Sequence, residues 1–406
     1  MCELEHLLFL SHRIPYPPNK GDKIRSWHVL RHLVGRYKVH LGCFYDDPTD
    51  AKYLPLLRSL CETACIIPLD PLSAKIKSLR GLLRGEPLTV GYFYSRRLNR
   101  WIDDTVRHYQ PSKAFVYCSA MATYVRGAKI PLRVVDMIDL DSEKWRQYAE
   151  TQTLLRRSLY KREHRELFAF ERQIVAEFDS AMFVSDSETQ RFVTRAPDLA
   201  TRVHTMGNGV DMEYFSPNAE YPNPFGVGTE TAVFTGAMDY WPNVQAVCWF
   251  MANVFPKLKK NRPNFEFWIV GRNPTKAVLQ LANRNGVKVT GSVDDVRPYV
   301  AHASVVVAPL QIGCGVQNKV LEAMAMAKPV VVSPLACEGI RVADGREVLV
   351  ASEPGQFVDC IDHILSSTSH EMGMRARLRI EHDFRWDFSI VDRLLGRPIR
   401  TQPRAA

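Results

Sequence analysis

The sequence predicts an α/β protein built from two doubly wound halves with parallel sheets, and three observations support this fold class. Short apolar runs alternate with stretches of helical spacing along the chain, an order typical of parallel sheets covered by helices. Asparagine, glycine and proline accumulate between residues 200 and 230, as they do in a linker. The 406 residues also exceed the roughly 100–200 residues of a typical domain, so more than one core is expected.

The predicted strands are apolar runs that end in polar or glycine-bearing loops. In the first half they are Leu7–Ser11, Val39–Tyr45, Ala64–Pro68, Ala114–Tyr117, Arg133–Ile138 and Ser180–Ser185. In the second half they are Ala232–Thr235, Glu266–Val270, Val287–Thr290, Ser304–Ala308 and Pro329–Ser333. Helical spacing predicts helices at Trp27–Leu33, Ser142–Phe178, Val244–Leu258, Ala277–Asn283, Lys319–Ala327 and Gln356–Leu365. We expect domains over residues 1–205 and 206–380, followed by a last segment over 381–406. Two such halves place a ligand between them, at the carboxyl ends of the strands.

The composition is that of a soluble globular protein with a basic surface. Hydrophobic residues make up 46% of the chain, and no apolar run approaches the roughly 20 residues of a membrane span. The sequence starts without a secretory-signal pattern, and its nine cysteines show no Cys-x-x-Cys spacing, so we expect reduced thiols in a cytoplasmic protein. A net charge of +9 suits nucleotide phosphates or anionic lipid, although a basic but inert surface is an equal alternative. Nucleic acid is the least favoured partner, because no helix-turn-helix, zinc or aromatic-strand signature accompanies the basic residues.

The most informative stretch is Pro309–Glu322, where a buried strand leads through a glycine-bearing loop into a helix. Gly313 and Gly315 let the backbone approach a ligand closely, and the free amides of the helix N-terminus suit a diphosphate. Lys319 lies in the first helical turn, and Glu322 follows on the same face, where a carboxylate can accept hydrogen bonds from two ribose hydroxyls. The alternative is that these two side chains form a solvated ion pair on an ordinary helix.

The same stretch resembles the donor-nucleotide motif of retaining glycosyltransferases of family 4, which have the GT-B fold. That motif carries two glutamates separated by seven residues and followed by Ala-Met. Glu322 and the Ala-Met after it match the second glutamate, whereas the first falls on Cys314. The first glutamate contacts the transferred sugar in many relatives, and the backbone amides of Val316, Gln317 and Asn318 are candidates to replace part of that contact here.

Further segments resemble this family in the right order. Val184–Glu188 resembles its Val-Ser-x-x-Glu element, and Asn208–Asp211, followed by a Phe-Ser-Pro, resembles its Asn-Gly-Val-Asp hallmark. Gly271, after Val270, and Gly291, within Val289–Val293, stand where relatives have strand ends near the nucleotide base. The resemblance extends over nearly the whole chain. It implies two Rossmann-like domains whose parallel sheets face each other across a cleft, with the C-terminal helix within Phe384–Leu395 returning to the first domain.

One segment departs from the family. Relatives often carry Arg and Lys after the first strand of the second domain, where these residues grip the diphosphate, but Thr235–Asn243 contains neither. We expect Lys319, or less strongly Arg272, to supply the charge, and Gly236 to allow close backbone approach.

In the first half, the resemblance points to the loop Pro15–Asp22 as the segment that faces the diphosphate. This assigns Gly21 to nucleotide binding and makes Lys20, Lys23 or Arg25 possible phosphate or acceptor contacts, with a solvated basic turn as the alternative.

Acidic side chains also follow a strand end in the first half. Relatives place a His or Asp beside the transferred sugar near here, and Asp139 is our choice, with Asp136 second. The competing interpretation is that Asp139 or Asp141 caps the following helix.

A basic segment, Ser73–Arg84, raises the question of membrane contact. Ile76 and Leu79, with Leu82 and Leu83, fall near one face of a predicted helix, and Lys75, Lys77, Arg80 and Arg84 fall elsewhere. This pattern indicates an amphipathic helix at a membrane surface, or else a helix whose apolar face packs on the core and whose basic side is solvated.

The sequence therefore predicts a retaining glycosyltransferase that moves a sugar from a nucleoside diphosphate sugar to a lipid-linked or oligosaccharide acceptor. Lys319 stabilises the diphosphate, Glu322 orients the ribose and Asp139 assists beside the sugar; no metal or further cofactor is expected. The residues of the segments around Gly21, Asp139, Gly236 and Lys319 resemble those of a subgroup of sugar transferases associated with exosortase and PEP-CTERM loci. This resemblance implies a role in exopolysaccharide biosynthesis. Alternatives are a nucleotide-sugar epimerase on the same fold and, because of Cys314, a non-catalytic nucleotide-sugar or polysaccharide-binding subunit.

Overall fold

The computed structural model describes residues 4–18, 21–79, 81, 85–150, 154–312, 316–338, 340–366 and 370–396. The chain divides into two compact units. The first consists of Met1–Gly207 together with Asp387–Ala406, and the second of Asn208–Trp386. The expected residues Lys20, Arg80, Leu82, Leu83, Arg84, Gly313, Cys314 and Gly315 lie outside the described residues.

The first unit is organised around a seven-stranded parallel sheet. Its strands are β1 (His6–Ser11), β2 (Lys38–Tyr45), β3 (Thr63–Pro68), β4 (Lys113–Tyr117), β5 (Leu132–Ile138), β6 (Ser180–Phe183) and β7 (Val203–Thr205). They lie in the order β3-β2-β1-β4-β5-β6-β7, with Leu8 of β1 opposite His40 of β2 and Ala114 of β4. The central strands are apolar along their length because helices cover both faces of a parallel sheet. The strand order reverses between β1 and β4, which is where such sheets place ligands.

Ten helices are described in this unit. They are α1 (Gly21–Val34), α2 (Leu54–Leu60), α3 (Pro71–Ser78), α4 (Leu88–Tyr92), α5 (Arg96–Tyr109), α6 (Ser119–Ala122), α7 (Asp141–Glu150), α8 (Leu154–Glu177), α9 (Asp186–Arg195) and, at the C-terminus, α17 (Ser389–Leu394).

The second unit repeats this architecture with six parallel strands. They are β8 (Glu230–Thr235), β9 (Phe265–Val270), β10 (Val287–Gly291), β11 (Val305–Ala308), β12 (Val330–Val332) and β13 (Leu349–Val350), in the order β10-β9-β8-β11-β12-β13. The helices are α10 (Trp241–Asn253), α11 (Phe255–Asn261), α12 (Lys276–Leu281), α13 (Arg297–His302), α14 (Asn318–Ala325), α15 (Pro354–Ser366) and α16 (His370–Asp383). The order reverses between β8 and β11, so the loops after these strands border the crevice of this unit.

The predicted fold class is confirmed, because both halves form doubly wound parallel sheets and every predicted strand is present. The strands that the sequence analysis missed, β7 and β13, are only two or three residues long and lie at sheet edges. The predicted helix Val244–Leu258 is two helices, since Pro256 lacks an amide hydrogen and lies in the first turn of α11 instead of continuing α10. The stretch Ser142–Phe178 is likewise divided, into α7 and α8.

The C-terminal helix belongs to the first unit, as expected. Asp392 of α17 lies 2.8 Å from Nε2 of His32 on α1, and the Phe388 ring stacks on the same imidazole with centroids 4.3 Å apart. Val391 and Leu395 are buried. The helix is shorter than the amphipathic segment Phe384–Leu395, because only Ser389–Leu394 is helical.

A buried ion pair joins α1 to the sheet of the first unit. The side chains of Arg25 and Asp136 are both 0% exposed, and the guanidinium donates to both carboxylate oxygens, at 2.6 and 3.1 Å. Arg25 also donates to the carbonyl oxygen of Met206, where the chain leaves this unit. The nearby Asp136 carboxylate raises the pKa of Arg25 even though burial acts in the opposite direction. The pair therefore holds three separate chain segments together.

We predict that Arg25→Met lowers the free energy of unfolding of the first unit by about 3–5 kcal/mol, because it leaves the Asp136 carboxylate buried without a counter-charge. Urea denaturation followed by tryptophan fluorescence measures this loss. Arg31→Met, an exposed position on the same helix, is the matched control and changes stability by less than about 0.5 kcal/mol. The double variant Arg25→Met/Asp136→Leu regains most of the loss, and equal instability of the single and double variants would contradict the explanation.

Candidate functional site

The loops that follow β8 and β9 press directly against each other. The amide of Gly236 donates to the carbonyl oxygen of Val270 at 3.0 Å, and Met238 donates to the carbonyl oxygen of Arg272 at 2.8 Å. A Cβ atom on Gly271 would lie 1.7 Å from the carbonyl oxygen of Gly236, a distance at which no side chain fits. Gly271 is thus required for the contact between the two loops, which brings two neighbouring strand ends together.

Gly291 at the end of β10 has a different requirement. Its φ is +70°, in the left-handed region, whereas a Cβ atom there would meet no other atom within 4 Å. Glycine is favoured at this position for the backbone conformation and not for space.

Helix α14 begins beside these loops, after the strand β11. Its first residue is Asn318, and Gln317 at the N-cap position forms no side-chain hydrogen bond to the helix amides. One face of the helix is buried in the core through Val320, Leu321, Ala323, Met324 and Ala325. Val316, Gln317, Asn318, Lys319 and Glu322 are all half-buried. The helix therefore presents its polar face and its N-terminal turn at the edge of the core.

Lys319 is held by an amide, not by a carboxylate. Its Nζ donates to Oδ1 of Asn243 at 2.8 Å and lies 4.8 Å from the ring centroid of Phe234. No ion pair within 4.0 Å joins Lys319 to Glu322, so the alternative of a solvated ion pair is wrong. Asn243 is anchored in turn, because its Nδ2 donates to the carbonyl oxygen of Ala237 at 2.9 Å.

Burial favours the uncharged form of both side chains and so shifts the pKa of each. Desolvation lowers the pKa of Lys319 to about 8, against the opposing effect of the Glu322 charge. Desolvation likewise raises the pKa of Glu322 to about 7, against the opposing effect of Lys319. Strong shifts of this kind, at the strand ends of a doubly wound unit, are typical of binding and catalytic sites.

Asn243 is the site residue that the sequence analysis missed. Thr235–Asn243 contains no Arg or Lys, and Gly236 was the only residue in it that was predicted to belong to the site. The available signal was its position, since a polar residue in the first turn of a helix after a glycine loop faces the same crevice as the helix amides.

The Asn-Gly-Val-Asp segment, Asn208–Asp211, contacts the start of α14. Asn208 donates from Nδ2 to Oδ1 of Asn318 at 3.2 Å, at the start of the helix. At its other end, Arg377 of α16 donates to the carbonyl oxygens of Phe215 and Ala325. A Cβ atom on Gly209 would lie 2.6 Å from the backbone nitrogen of Trp386, so this glycine allows the segment to pack on the end of the unit. Asn208 therefore contacts the first residue of α14, and Arg377 binds the carbonyl oxygen of its last residue.

In the first unit, two predicted phosphate contacts are wrong. Lys23 is 1% exposed and lies 2.5 Å from Asp50, and Arg25 is fully buried against Asp136. Neither is a solvated turn residue, and neither reaches an external ligand, because both charges are used inside the unit. Asp136 forms the buried ion pair with Arg25, so our second choice for the acidic group beside the transferred sugar is also wrong. Gly21 is the first residue of α1.

Asp139 is accessible and does not cap the following helix. Its Oδ2 lies 2.9 Å from Nζ of Lys144, which is shared with Asp141. The amides at this turn are bound instead by two glutamates, since Leu140 donates to Glu188 and Ser142 donates to Glu171. The residue before it, Ile138, has a φ of 70°, a strained value for a β-branched side chain. Such strain at a strand end often accompanies a functional site.

No group of three or more His, Cys, Asp or Glu side chains that could hold a metal ion occurs within the described ranges. In the same part of the chain, no helix combines the length and apolar character needed to cross a membrane.

Comparisons with known proteins agree with this architecture. Residues 229–367 match the family model of glycosyl transferases group 1. HepE from Anabaena, solved with UDP and glucose, is 15% identical, with a TM-score of 0.69 over 97% of this chain and 100% of its own. WaaG, a glycosyltransferase involved in lipopolysaccharide biosynthesis, is 16% identical, with a TM-score of 0.68 over 96% and 100% of the two chains. Sucrose-phosphate synthase from Thermosynechococcus elongatus is 15% identical, with a TM-score of 0.66 over 94% and 95%. The comparison with curated proteins found no match.

The structural neighbours establish the fold, and the family model covers the unit that carries Lys319 and Glu322. Residues 229–367, which include Lys319 and Glu322, match the group 1 glycosyltransferase model, and the chain as a whole has the GT-B fold of structures such as HepE and WaaG.

Proposed function

We propose that this enzyme transfers a sugar, with retention of configuration, from a nucleoside diphosphate sugar to a hydroxyl of a lipid-linked or oligosaccharide acceptor in exopolysaccharide biosynthesis. One observation carries the donor part of the proposal. Lys319 and Glu322 share the half-buried polar face of α14, which follows a strand end within the residues that match the group 1 glycosyltransferase model.

The two side chains have complementary tasks on the donor. The Lys319 ammonium lies beside the departing diphosphate and stabilises its charge as the bond to the sugar breaks. The amides of Val316, Gln317 and Asn318 at the start of α14 favour the same anion. The Glu322 carboxylate, one helical turn away, accepts hydrogen bonds from the two ribose hydroxyls. Gly21 of the first unit and Gly315, which precedes these amides, complete the proposed nucleotide contacts.

Asp139 is proposed to assist beside the transferred sugar. Its accessible carboxylate, held by Lys144, supports an electrostatic role near the positive charge that develops on the sugar in the transition state. The two glutamates bind the amides at the start of α7, so Asp139 is not needed there as a cap.

The donors to test first come from the structural neighbours. HepE was solved with UDP-glucose, and WaaG acts in the biosynthesis of lipopolysaccharide, a sugar-bearing lipid. UDP-sugars and a lipid-linked acceptor are therefore the first substrates to test with this chain.

The surface of α3 supports a membrane-bound acceptor. Leu72 and Ile76 are 72% and 69% exposed, and Leu79 beside them is also exposed, whereas Ala74 and Ser78 form the buried side of the helix. The alternative in which Ile76 and Leu79 pack on the core is therefore wrong. Lys75 and Lys77 flank the exposed apolar side chains, an arrangement that suits the interface of an anionic membrane. We infer peripheral binding at the cytoplasmic face.

We predict that the purified enzyme releases nucleoside diphosphate from one donor in a panel of UDP-, GDP- and ADP-sugars supplied with membrane lipid. Glu322→Gln, which keeps the shape of the side chain but removes its charge, raises the donor Kd at least tenfold, because ribose binding weakens. Glu353→Gln, an exposed change in the same unit, is the control and leaves release unchanged.

The outcomes of this assay separate the alternatives. Conversion of the donor to another nucleotide sugar without acceptor would indicate an epimerase. Tight donor binding without any release would indicate a non-catalytic subunit. Wild-type behaviour of Glu322→Gln would contradict the ribose assignment.

We predict that donor affinity is greatest between about pH 7 and pH 8. Glu322 becomes protonated below its raised pKa of about 7 and then no longer accepts both ribose hydroxyls, whereas Lys319 loses its charge above its lowered pKa of about 8. Outside this window the donor Kd rises about tenfold for each pH unit. Calorimetry with the intact nucleotide sugar measures the profile, because its diphosphate does not titrate in this range. The acidic limb disappears in Glu322→Gln, and a flat wild-type profile would show that neither group governs binding.

We predict that the enzyme sediments with anionic vesicles at low salt and is released at high salt. Neutralising Lys75, Lys77, Arg80 and Arg84 weakens the partition about fivefold for each charge that lay near the surface. Leu72→Ser/Ile76→Ser weakens binding at every salt concentration, since it removes buried apolar area. Neutralising Arg156 and Arg157, two exposed basic residues of α8, serves as the control. Equal sedimentation of all variants would refute this surface.

A further inference from the structure

We propose that Asn243 is a positioning residue that aims the ammonium group of Lys319 at the donor diphosphate. The proposal deepens the proposed function and rests on it. Asn243 lies in the first turn of α10, is 5% exposed, and makes the only hydrogen bond that the structure gives to Lys319 among the described residues.

The amide of Asn243 has one possible orientation. Its Nδ2 donates to the carbonyl oxygen of Ala237 at 2.9 Å, and its Oδ1 accepts from Nζ of Lys319 at 2.8 Å. A carbonyl oxygen only accepts and an ammonium only donates, so a flipped amide would lose both hydrogen bonds. Asn243 thus connects the loop after β8 to Lys319 in a defined geometry.

Space for this amide depends on Gly236. A Cβ atom there would lie 2.7 Å from Nδ2 of Asn243 and 3.4 Å from Cε of Lys319. Gly236 therefore makes room for the contact between Asn243 and Lys319, while Gly271 allows the two loops to touch.

A neutral acceptor is what this site requires. Glu322 stands three residues after Lys319, a spacing at which opposite charges on a helix pair readily. Such a pair would neutralise the ammonium and occupy the carboxylate. Asn243 turns the ammonium away from Glu322 without cancelling its charge, which leaves one cation for the diphosphate and one anion for the ribose.

The surrounding sequence makes this contact important. No Arg or Lys occurs in Thr235–Asn243, the segment between β8 and the first turn of α10. Glu322 is the charged side chain whose field reaches Lys319 in the structure. Within Thr235–Asn243 and α14, the donor diphosphate therefore depends on Lys319, whose direction is set by Asn243.

Two variants of similar shape test the contact. Asn243→Leu removes the acceptor and fills the space with apolar atoms, so Lys319 loses its proton at a pH about one unit lower than in the wild type. Asn243→Asp places a carboxylate beside the ammonium, so Lys319 loses its proton about one unit higher. Competitive acetylation over a pH series, followed by mass spectrometry, measures the pH at which each lysine loses its proton. Lys328, which follows Lys319 along the chain, is the internal control within each protein. Asn253→Ala, at the other end of α10, is the control variant.

Donor binding supplies the second readout. Both variants at Asn243 raise the Kd of the wild-type donor about tenfold, although they shift the titration of Lys319 in opposite directions. A loosened loop would instead shift the titration in one direction for both variants, and that result, or no shift, overturns the proposal. Opposite shifts in a protein that binds no nucleotide sugar would refute the proposed function and leave the effect of Asn243 on Lys319 supported.

Discussion

The site in the second unit depends on the contact between two glycines, Gly236 and Gly271. The backbone of Gly236 leaves no room for a side chain on Gly271, and the hydrogen bond from the Gly236 amide to Val270 holds the ends of β8 and β9 together. The same approach places the first turn of α10 beside α14, so that Asn243 meets Lys319. A steric constraint between two loops thus determines where the positive charge of the site stands.

The buried ionisable residues of the first unit differ in their surroundings from Lys319 and Glu322 of the second unit. In the first unit, Arg25, Lys23 and Asp136 are fully enclosed and satisfied by partners. Glutamates of this unit also have structural roles. Glu163 of α8 accepts hydrogen bonds from the amides of Leu88 and Thr89 at the start of α4. Glu188 and Glu171 accept hydrogen bonds from the amides of Leu140 and Ser142 near the start of α7. Arg25 connects α1 to the sheet, whereas the glutamates connect α8 and α9 to the starts of α4 and α7. Lys319 and Glu322 of the second unit are only half-buried and do not pair with each other, which leaves them available to a ligand.

The sequence predicted the strands well because a parallel sheet needs continuous apolar runs, and these are visible residue by residue. The position of Lys319 and Glu322 on a helix that follows β11 was also predictable, since a glycine loop before a helix start is a local pattern. The fate of Arg25 and Lys23 was not, because their partners Asp136 and Asp50 are 111 and 27 residues away along the chain. Asn243 was missed for the same reason, since its importance arises from a contact across 76 residues.

A single lysine with a lowered pKa is a suitable anchor for a diphosphate. Burial has already removed part of its water on folding, so that part of the desolvation does not count against donor binding. The amide of Asn243 replaces one lost hydration partner and fixes the direction of the ammonium, so little reorganisation is needed when the anion arrives. The approaching diphosphate then stabilises the charged form that burial disfavours, which couples donor binding to proton uptake by Lys319 above about pH 8. The lowered pKa is therefore a consequence of preorganisation for a negatively charged ligand.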